Sequence, residues 1–180
     1  MIGEHLIQNG ILQVGLFVTD TGHTMPYRLR LEMLPAYPGL LEELSRQATQ
    51  FIADMTFDRI VADYDVMALG VLLSVGTGIP LVYSQGRGAA PVHDLVGAYD
   101  VGHPAILFIG EYSAATSQLI RNCQRVGLQI EQVVALVGHE DQIGDISVKP
   151  LVDFGMMLEE LTEKGLLPKP QAEAILAHQG

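Results

Sequence analysis

The sequence predicts an α/β protein in which a central parallel β-sheet is flanked by helices. Two segments, residues 105–109 and 133–137, are uninterrupted apolar runs, which is typical of strands covered on both faces. These runs alternate along the chain with helix-like segments, as in doubly wound parallel sheets. A length of 180 residues with 48% hydrophobic residues suits a single domain that has its own core.

The elements follow from apolar periodicity and from the positions of proline and glycine. A short helix at 4–9 is expected to end at Gly10, and a later helix starts with Pro38 in its first turn. Residues 84–102 contain four glycines and Pro91, and they indicate a long loop or a flexible hairpin. The other predicted elements are extended segments at 16–18, 27–33, 59–62, 80–83, 105–109 and 130–137, and helices at 66–75, 113–126, 151–163 and 169–178.

The charge of the chain limits its partners. A formal net charge of −11 argues against nucleic acid, because phosphate contacts need clustered lysine and arginine. All three lysines, Lys149, Lys164 and Lys169, lie in the last fifth of the sequence. A phosphorylated small molecule would therefore be held by backbone amides, by the few arginines or by a bound metal.

Two further features bear on where the protein works. The single cysteine, Cys123, fits a reducing compartment, and the first residues lack the pattern of a secretory signal. We therefore expect a cytoplasmic protein. The uncharged stretch 66–86 is long enough to span a bilayer, but its glycines and Pro80 favour a buried helix, a turn and a strand. No membrane association is expected.

The candidate site follows the strand predicted at 105–109. In open parallel sheets, ligands bind beyond the carboxyl ends of the strands, where the strand order reverses. Residues 110–117 are rich in small and hydroxyl side chains at the start of a helix, so free amides and the helix dipole suit a phosphate. The alternative is that Ser113 simply caps this helix. Two other groups are interpreted as structural: residues 139–141 as a charged loop, and Cys123 as a buried thiol.

Eight segments in the same order resemble the orotate phosphoribosyltransferases, of the type I phosphoribosyltransferase superfamily. No single segment is highly specific, but their colinear order covers nearly the whole chain. The segments are GIL (10–12), GLFVTDTG (15–22), MPY (25–27), PGLL (38–41), FDRIV (57–61), TGIPLVY (77–83), GHPAILFI (102–109) and GLQIEQVVALV (127–137).

The resemblance implies an architecture and an assembly. It implies one phosphoribosyltransferase-like domain over 1–180, with an N-terminal hood and dimer region at 1–35, a core at 36–150 and C-terminal helices at 151–180. It also implies a homodimer with residues 27–33 and 84–97 in the interface. The expected setting is pyrimidine nucleotide metabolism.

The motif that binds ribose and its 5′-phosphate in this family is altered here. The family strand ends in two acidic residues that hold the ribose hydroxyls, whereas this chain has Gly110 and Glu111. The loop that holds the phosphate lacks its glycine. It corresponds to Ser113, Ala114, Ala115, Thr116 and Ser117.

The positions that handle pyrophosphate are altered as well. The glycine-rich pyrophosphate loop corresponds to a segment with Asp63, Tyr64 and Asp65, whose two carboxylates could hold a metal or cap the next helix. The mobile catalytic loop offers only Arg87 and His93, and Asp20 replaces an expected lysine.

Three hypotheses follow from these departures. The first is a non-catalytic protein with a degenerate active site, which binds a nucleotide or phosphoribosyl ligand or acts as a regulatory partner. The second is an active phosphoribosyltransferase in which Glu111, Arg87 and His93 work with magnesium. The third is a structural dimer subunit without a ligand. No catalytic residue and no resident metal is assigned, and magnesium is expected only together with phosphoribosyl diphosphate.

Overall fold

The computed structural model describes residues 2–19, 22–86 and 94–179. Two short 3-10 helices, Leu31–Ala36 and Tyr64–Val66, precede α2 and α3. The helices are α1 (Ile2–Gln8), α2 (Pro38–Ile52), α3 (Met67–Thr77), α4 (Ala114–Arg125), α5 (Phe154–Glu163) and α6 (Lys169–Gln179). The strands are β1 (Leu12–Val18), β2 (Thr24–Leu29), β3 (Arg59–Ala62), β4 (Leu81–Ser84), β5 (Leu95–Gly97), β6 (His103–Ile109), β7 (Leu128–Gly138), β8 (Asp141–Ile143) and β9 (Ile146–Asp153).

Seven of these strands form one mostly parallel sheet in the order β5-β4-β3-β6-β7-β9-β8. The five inner strands are parallel, and the edge strands β5 and β8 pair antiparallel with their neighbours. Strands β1 and β2 form a separate antiparallel hairpin. The α/β class predicted from the sequence is confirmed.

The apolar runs are continuous because the inner strands pack on both faces. Ile106 and Phe108 of β6 belong to a core cluster with residues of α1, α2, α3, α5 and α6. Leu107 and Ile109, which point the other way, pack in a second cluster with α4. Cys123 lies in this second cluster and is fully buried, so its interpretation as a structural thiol is confirmed.

Three sequence predictions are corrected. The helix predicted at 151–163 begins only at Phe154, because residues 151–153 finish β9. Strands β8 and β9 were missed because β8 is short and polar, and because Lys149 and Pro150 interrupt the apolar pattern of β9. The segment predicted as extended at 27–33 ends at Leu29 and continues as a 3-10 helix. The stretch 84–102 does contain a hairpin strand, β5, paired with β4.

The described part of the chain has no helix that is both long enough and apolar enough to span a bilayer. The uncharged stretch 66–86 consists instead of α3, a turn at Gly78 and strand β4, as the sequence indicated.

Helix α3 approaches the sheet closely at Gly70. A Cβ atom on Gly70 would lie 2.6 Å from the Cβ of Ala62 in β3 and 3.1 Å from a methyl carbon of Leu81 in β4. Six residues later on the same helix, Gly76 has no heavy atom within 4 Å of the position of a Cβ. Glycine is therefore required at position 70 for close packing, but not at position 76.

These two glycines give a matched test of the packing. We expect Gly70→Ala to lower the free energy of unfolding by about 1–3 kcal/mol, because the added methyl overpacks the helix–sheet contact. Gly76→Ala should raise it by about 0.5–1 kcal/mol, because alanine favours the helix. Urea denaturation of both variants measures the difference, and equal effects at the two sites would contradict the close approach.

Candidate functional site

The candidate site lies where the strand order reverses, between β3 and β6. From β3 the chain continues to β4 and β5 on one side, and it then returns to β6 on the other side. The two strands are parallel and in register, with Ala62 opposite Phe108. The backbone N–H of Asp63 donates to the carbonyl of Phe108 at 2.9 Å, so the residues that follow both strands start from the same place. A crevice at such a point is where open parallel sheets bind ligands.

Asp63 organises the loop that follows β3. Its carboxylate caps the 3-10 helix Tyr64–Val66 by accepting the Tyr64 backbone N–H at 2.8 Å. Burial raises the pKa of Asp63, and the nearby Asp94 raises it further, whereas the Tyr64 N–H and the Ser84 hydroxyl oppose the shift. Asp63 therefore acts as a cap, one of the two roles that its sequence position allowed.

The end of β4 holds another buried acid beside this loop. The Ser84 hydroxyl donates to Oδ2 of Asp94 at 3.0 Å, and both residues are only 3% exposed. The Gly86 N–H donates to the Ser84 oxygen at 3.0 Å. The ring of Tyr64 lies against Gly86, where a Cβ atom would come within 2.6 Å of the ring. The loop after β3 is thus packed on the segment after β4.

Asp65 is the most perturbed carboxylate of the site. Its Oδ1 atom is buried and has no hydrogen-bond partner among the described residues. Burial raises the pKa of Asp65 to about 7, and the like charges of Asp63 and Glu32 add to the shift. Its Oδ2 atom lies over the backbone of Gly110, at the end of β6. The two turns that end β3 and β6 therefore touch through this side chain.

Glu111 is held by the N-terminal hairpin. The hydroxyl of Tyr27, on β2, donates to Oε1 of Glu111. Tyr27 is 4% exposed, and its ring packs on Phe154 with the ring centroids 5.0 Å apart. Burial raises the pKa of Glu111, while the Tyr27 hydrogen bond and the nearby His139 oppose the shift. The hairpin thus fixes the orientation of the one acidic residue at the end of β6.

Helix α4 begins directly after Glu111, with Ser113 at its N-cap. The Thr116 hydroxyl accepts the Ser113 backbone N–H at 3.1 Å, and the Thr116 N–H donates to the Ser113 carbonyl at 3.0 Å. Thr116 is buried, whereas Ser113, Ala114 and Ala115 are exposed. The Thr116 side chain is used in the cap, and the amides of the exposed first turn point out of the helix N-terminus.

The charge around this crevice is negative within the part of the chain that the structure describes. Neither lysine nor arginine is among the groups that shift the pKa of Asp63, Asp65 or Glu111. Among the described residues, no three His, Cys, Asp or Glu side chains come together as a possible metal site. Among the described residues, backbone amides are therefore the groups that remain to bind a negatively charged ligand at this crevice.

The structure brings together most of the residues singled out from the sequence. Asp63, Tyr64 and Asp65 lie beside Gly110 and Glu111, and residues 113–117 start the adjoining helix. Asp20, Arg87 and His93 lie outside the described residues. Residues 139 and 140 form the connection between β7 and β8, and Asp141 begins β8.

Two residues, Tyr27 and Asp94, were not predicted from the sequence to belong to the site. Tyr27 contacts a residue 84 positions away, which no local pattern reveals. Asp94 lies in a glycine-rich stretch, where an acidic residue is expected to be solvated rather than 3% exposed.

The raised pKa of Asp65 gives a pH-dependent prediction. Because the folded state binds the proton up to about pH 7, and the unfolded carboxyl has a pKa of 3.8, stability should fall as the pH rises through this window. We expect Asp65→Asn to raise the free energy of unfolding at pH 8 by up to roughly 4 kcal/mol, less where solvent screens the carboxylate. The gain should shrink toward pH 4.5.

Urea denaturation at both pH values measures this effect. The exposed Asp145, in the turn between β8 and β9, provides the control variant Asp145→Asn. A gain in stability that is the same at pH 4.5 and pH 8 would contradict a buried, titrating Asp65.

The chain is similar in sequence to a known phosphoribosyltransferase. An orotate phosphoribosyltransferase of Sulfurisphaera tokodaii is 24% identical over 178 residues, covering 91% of this chain and 89% of that protein. No protein-family model matches the chain.

Solved structures from other organisms share the fold. The UMP synthase of Leishmania donovani superposes with a TM-score of 0.83 at 19% identity over 99% of this chain, which spans 41% of the length of that enzyme. The Mycobacterium tuberculosis orotate phosphoribosyltransferase, solved with phosphoribosyl diphosphate, gives a TM-score of 0.64 at 13% identity, covering 87% of this chain and 96% of the other. The chain has the phosphoribosyltransferase-type fold, and its resemblance to the orotate phosphoribosyltransferases is confirmed.

Proposed function

We propose that this chain is an orotate phosphoribosyltransferase-like protein of cytoplasmic nucleotide metabolism that binds a phosphorylated ribose or a nucleotide without transferring it. The ligand lies in the crevice between the ends of β3 and β6. Its 5′-phosphate is bound by the amides at the start of α4, and Glu111 accepts hydrogen bonds from ribose hydroxyls. The similarity to proteins that handle such ligands supports this assignment.

The phosphate end of this proposal rests on the geometry of α4. This helix has 12 residues, and its exposed first turn contains Ser113, Ala114 and Ala115. Backbone amides and the positive end of a helix dipole stabilise phosphate without any lysine. Thr116 and Ser117 complete the turn, with the Thr116 hydroxyl fixing its shape.

The observation that argues against catalysis is the charge of the crevice. Phosphoribosyl transfer releases pyrophosphate, and its transition state depends on cations positioned near the leaving group. The described residues at the pyrophosphate-loop position supply Asp63 and Asp65 instead, both half-buried, and no lysine or arginine contributes to their pKa shifts. Losing one such stabilising contact typically costs about 100-fold to 1,000-fold in rate.

Magnesium has no protein site of its own in this proposal. Asp63 is engaged as a cap, and the described residues contain no cluster of three metal-ligating side chains. Magnesium is commonly bound by one or two carboxylates together with the phosphates of a substrate. The ion would therefore enter with the diphosphate of the ligand.

Calorimetry and an activity assay test the proposal together. We expect phosphoribosyl diphosphate with magnesium to bind, and orotate consumption to stay far below about one turnover per second. Ala115→Asp, at the exposed start of α4, should reduce binding at least tenfold, because it puts a negative charge where the phosphate lies. The helix dipole favours this carboxylate, so folding should be preserved.

The control for this variant is Ala174→Asp, which places the same charge on the exposed side of α6. Steady turnover of orotate would instead establish the active enzyme with a rearranged site. An absence of binding to phosphoribosyl diphosphate, ribose 5-phosphate and inorganic phosphate would overturn the proposed ligand and favour a structural subunit.

A homodimer is the second part of the proposal, and an exposed apolar surface on α3 supports it. Val71, Leu72 and Val75 are 43%, 37% and 78% exposed, and Met67 on the same helix is 39% exposed. Tyr27 and Leu31, from the segment expected at the interface, are instead buried within their own chain. A helix that is apolar on all sides, as α3 is, does not leave such residues in water unless another surface covers them.

The occupant that fits this α3 surface is a second copy of the chain. Two molecules that each carry a formal charge of −11 repel one another over most of their surfaces. The stretch 66–86 contains no charged residue, so two α3 surfaces related by a two-fold axis meet without like-charge contact.

Light scattering at micromolar concentration should give twice the chain mass of 19.5 kDa. Val75→Glu should shift the protein to monomers, because it buries a charge at the contact. Val101→Glu, at a valine that is 89% exposed outside α3, should leave the dimer intact. A wild-type protein of monomer mass would contradict this part of the proposal.

A further inference from the structure

A cluster of charged side chains lies at the edge of the sheet opposite the candidate site, where β3 and β6 begin. Nδ1 of His103, the first residue of β6, lies 2.8 Å from Oδ2 of Asp58. Its Nε2 lies 3.3 Å from Nη2 of Arg59, the first residue of β3, and 3.9 Å from Oδ2 of Asp100. Among the described residues, these are the three charged groups in hydrogen-bond or ion-pair contact with the imidazole. The His103 side chain is 28% exposed, so it can exchange protons with solvent.

The chemistry of these neighbours decides which ring nitrogen carries the proton of the neutral imidazole. An ionised carboxylate only accepts hydrogen bonds, so Nδ1 donates to Asp58. A guanidinium only donates, so Nε2 accepts from Arg59. Both nitrogens of the neutral ring are therefore engaged, each in the one role that its neighbour allows. The chain Asp58–His103–Arg59 joins the start of β6 to the start of β3.

Arg59 extends this chain of contacts to the edge strand β5. Its Nε donates to the carbonyl of Ala98, the residue that follows β5, at 2.9 Å, and its Nη1 donates to the carbonyl of Asp58 at 2.8 Å. The Arg59 side chain is only 14% exposed. Strand β5 has three residues, and β4 is its one neighbour in the sheet. The hydrogen bond from Arg59 therefore gives the end of β5 a second attachment, to β3.

Protonation of His103 removes the acceptor that Arg59 uses. The added proton lies on Nε2, which then cannot accept a hydrogen bond, and two cations face each other at 3.3 Å. Asp58 keeps its hydrogen bond from Nδ1, and Asp100 lies on the Nε2 side of the ring as an acceptor for the new N–H. The ring is therefore retained while the guanidinium is displaced. Because the guanidinium is planar and rigid, this displacement also disturbs its hydrogen bond to Ala98.

We infer that Asp58, His103 and Arg59 form a pH-sensitive clamp on β5, which is closed when His103 is neutral and open when it is protonated. An imidazole side chain changes its charge in the range of about pH 5 to 8. At the other end of the β4–β5 pair, Ser84 and Asp94 lie buried beside the crevice. The clamp thus acts on the wall of the crevice from the opposite edge of the sheet, whatever ligand the crevice binds.

Hydrogen exchange of the full chain at pH 5.5 and pH 7.5 tests the clamp. After correction for the intrinsic pH dependence of exchange, the amides of β5 should exchange at least tenfold faster at pH 5.5, because the open clamp leaves β5 attached to β4 alone. The amides of the inner strand β7 should exchange equally at both pH values. Arg59→Lys should lose the protection of β5 at both, because an ammonium group cannot reproduce the fixed geometry of the guanidinium contacts.

The variant His103→Gln separates the clamp from other titrating groups. Glutamine is neutral at both pH values and can both donate and accept, so the pH dependence at β5 should disappear. Asp63 and Asp94 stay unchanged in this variant, so their titration at the other end of the hairpin would remain visible. His5→Gln, at an exposed histidine on α1, is the matched control and should behave as the wild type. Equal protection of β5 at the two pH values in the wild type would overturn the inference, as would an unchanged pH dependence in His103→Gln.

Discussion

The pairing of β3 with β6 is the constraint on which the rest of the structure depends. These two parallel strands lie at the point where the sheet changes direction, and both are buried on each face by helices. Their register, with Ala62 opposite Phe108, decides which residues of the two following turns can meet. A slip of one residue would turn the side chains of the shifted strand to the opposite face and separate Asp65 from Gly110. The core and the candidate site are therefore set by the same hydrogen-bond ladder.

Much of this arrangement was predictable from the sequence, because it depends on local patterns. The apolar runs at 105–109 and 133–137 identified inner strands, and the Ser113 cap marked the start of α4 within one residue. The colinear order of the eight segments was enough to indicate the family resemblance that the comparisons support. Strands β8 and β9 were not predicted, because the edge strand β8 has only three residues and because Lys149 and Pro150 interrupt the apolar pattern of β9.

The site was less predictable, because its key contacts join distant parts of the chain. Asp63 and Asp65 were singled out as a pair, yet the structure gives them different roles: one caps a turn, and the other covers a glycine. Tyr27 and Asp94 gained their roles only through tertiary contacts with Glu111 and Ser84.

The contact between Asp65 and Gly110 also restricts the order in which the two positions can change during evolution. A chain that has Asp65 cannot accept any larger residue at position 110, since even a Cβ atom would lie 2.1 Å from the carboxylate. A change at position 65 must come first, and it leaves an unfilled space that a later side chain at 110 can occupy. An exchange of the two residues therefore passes through an intermediate in which both side chains are small.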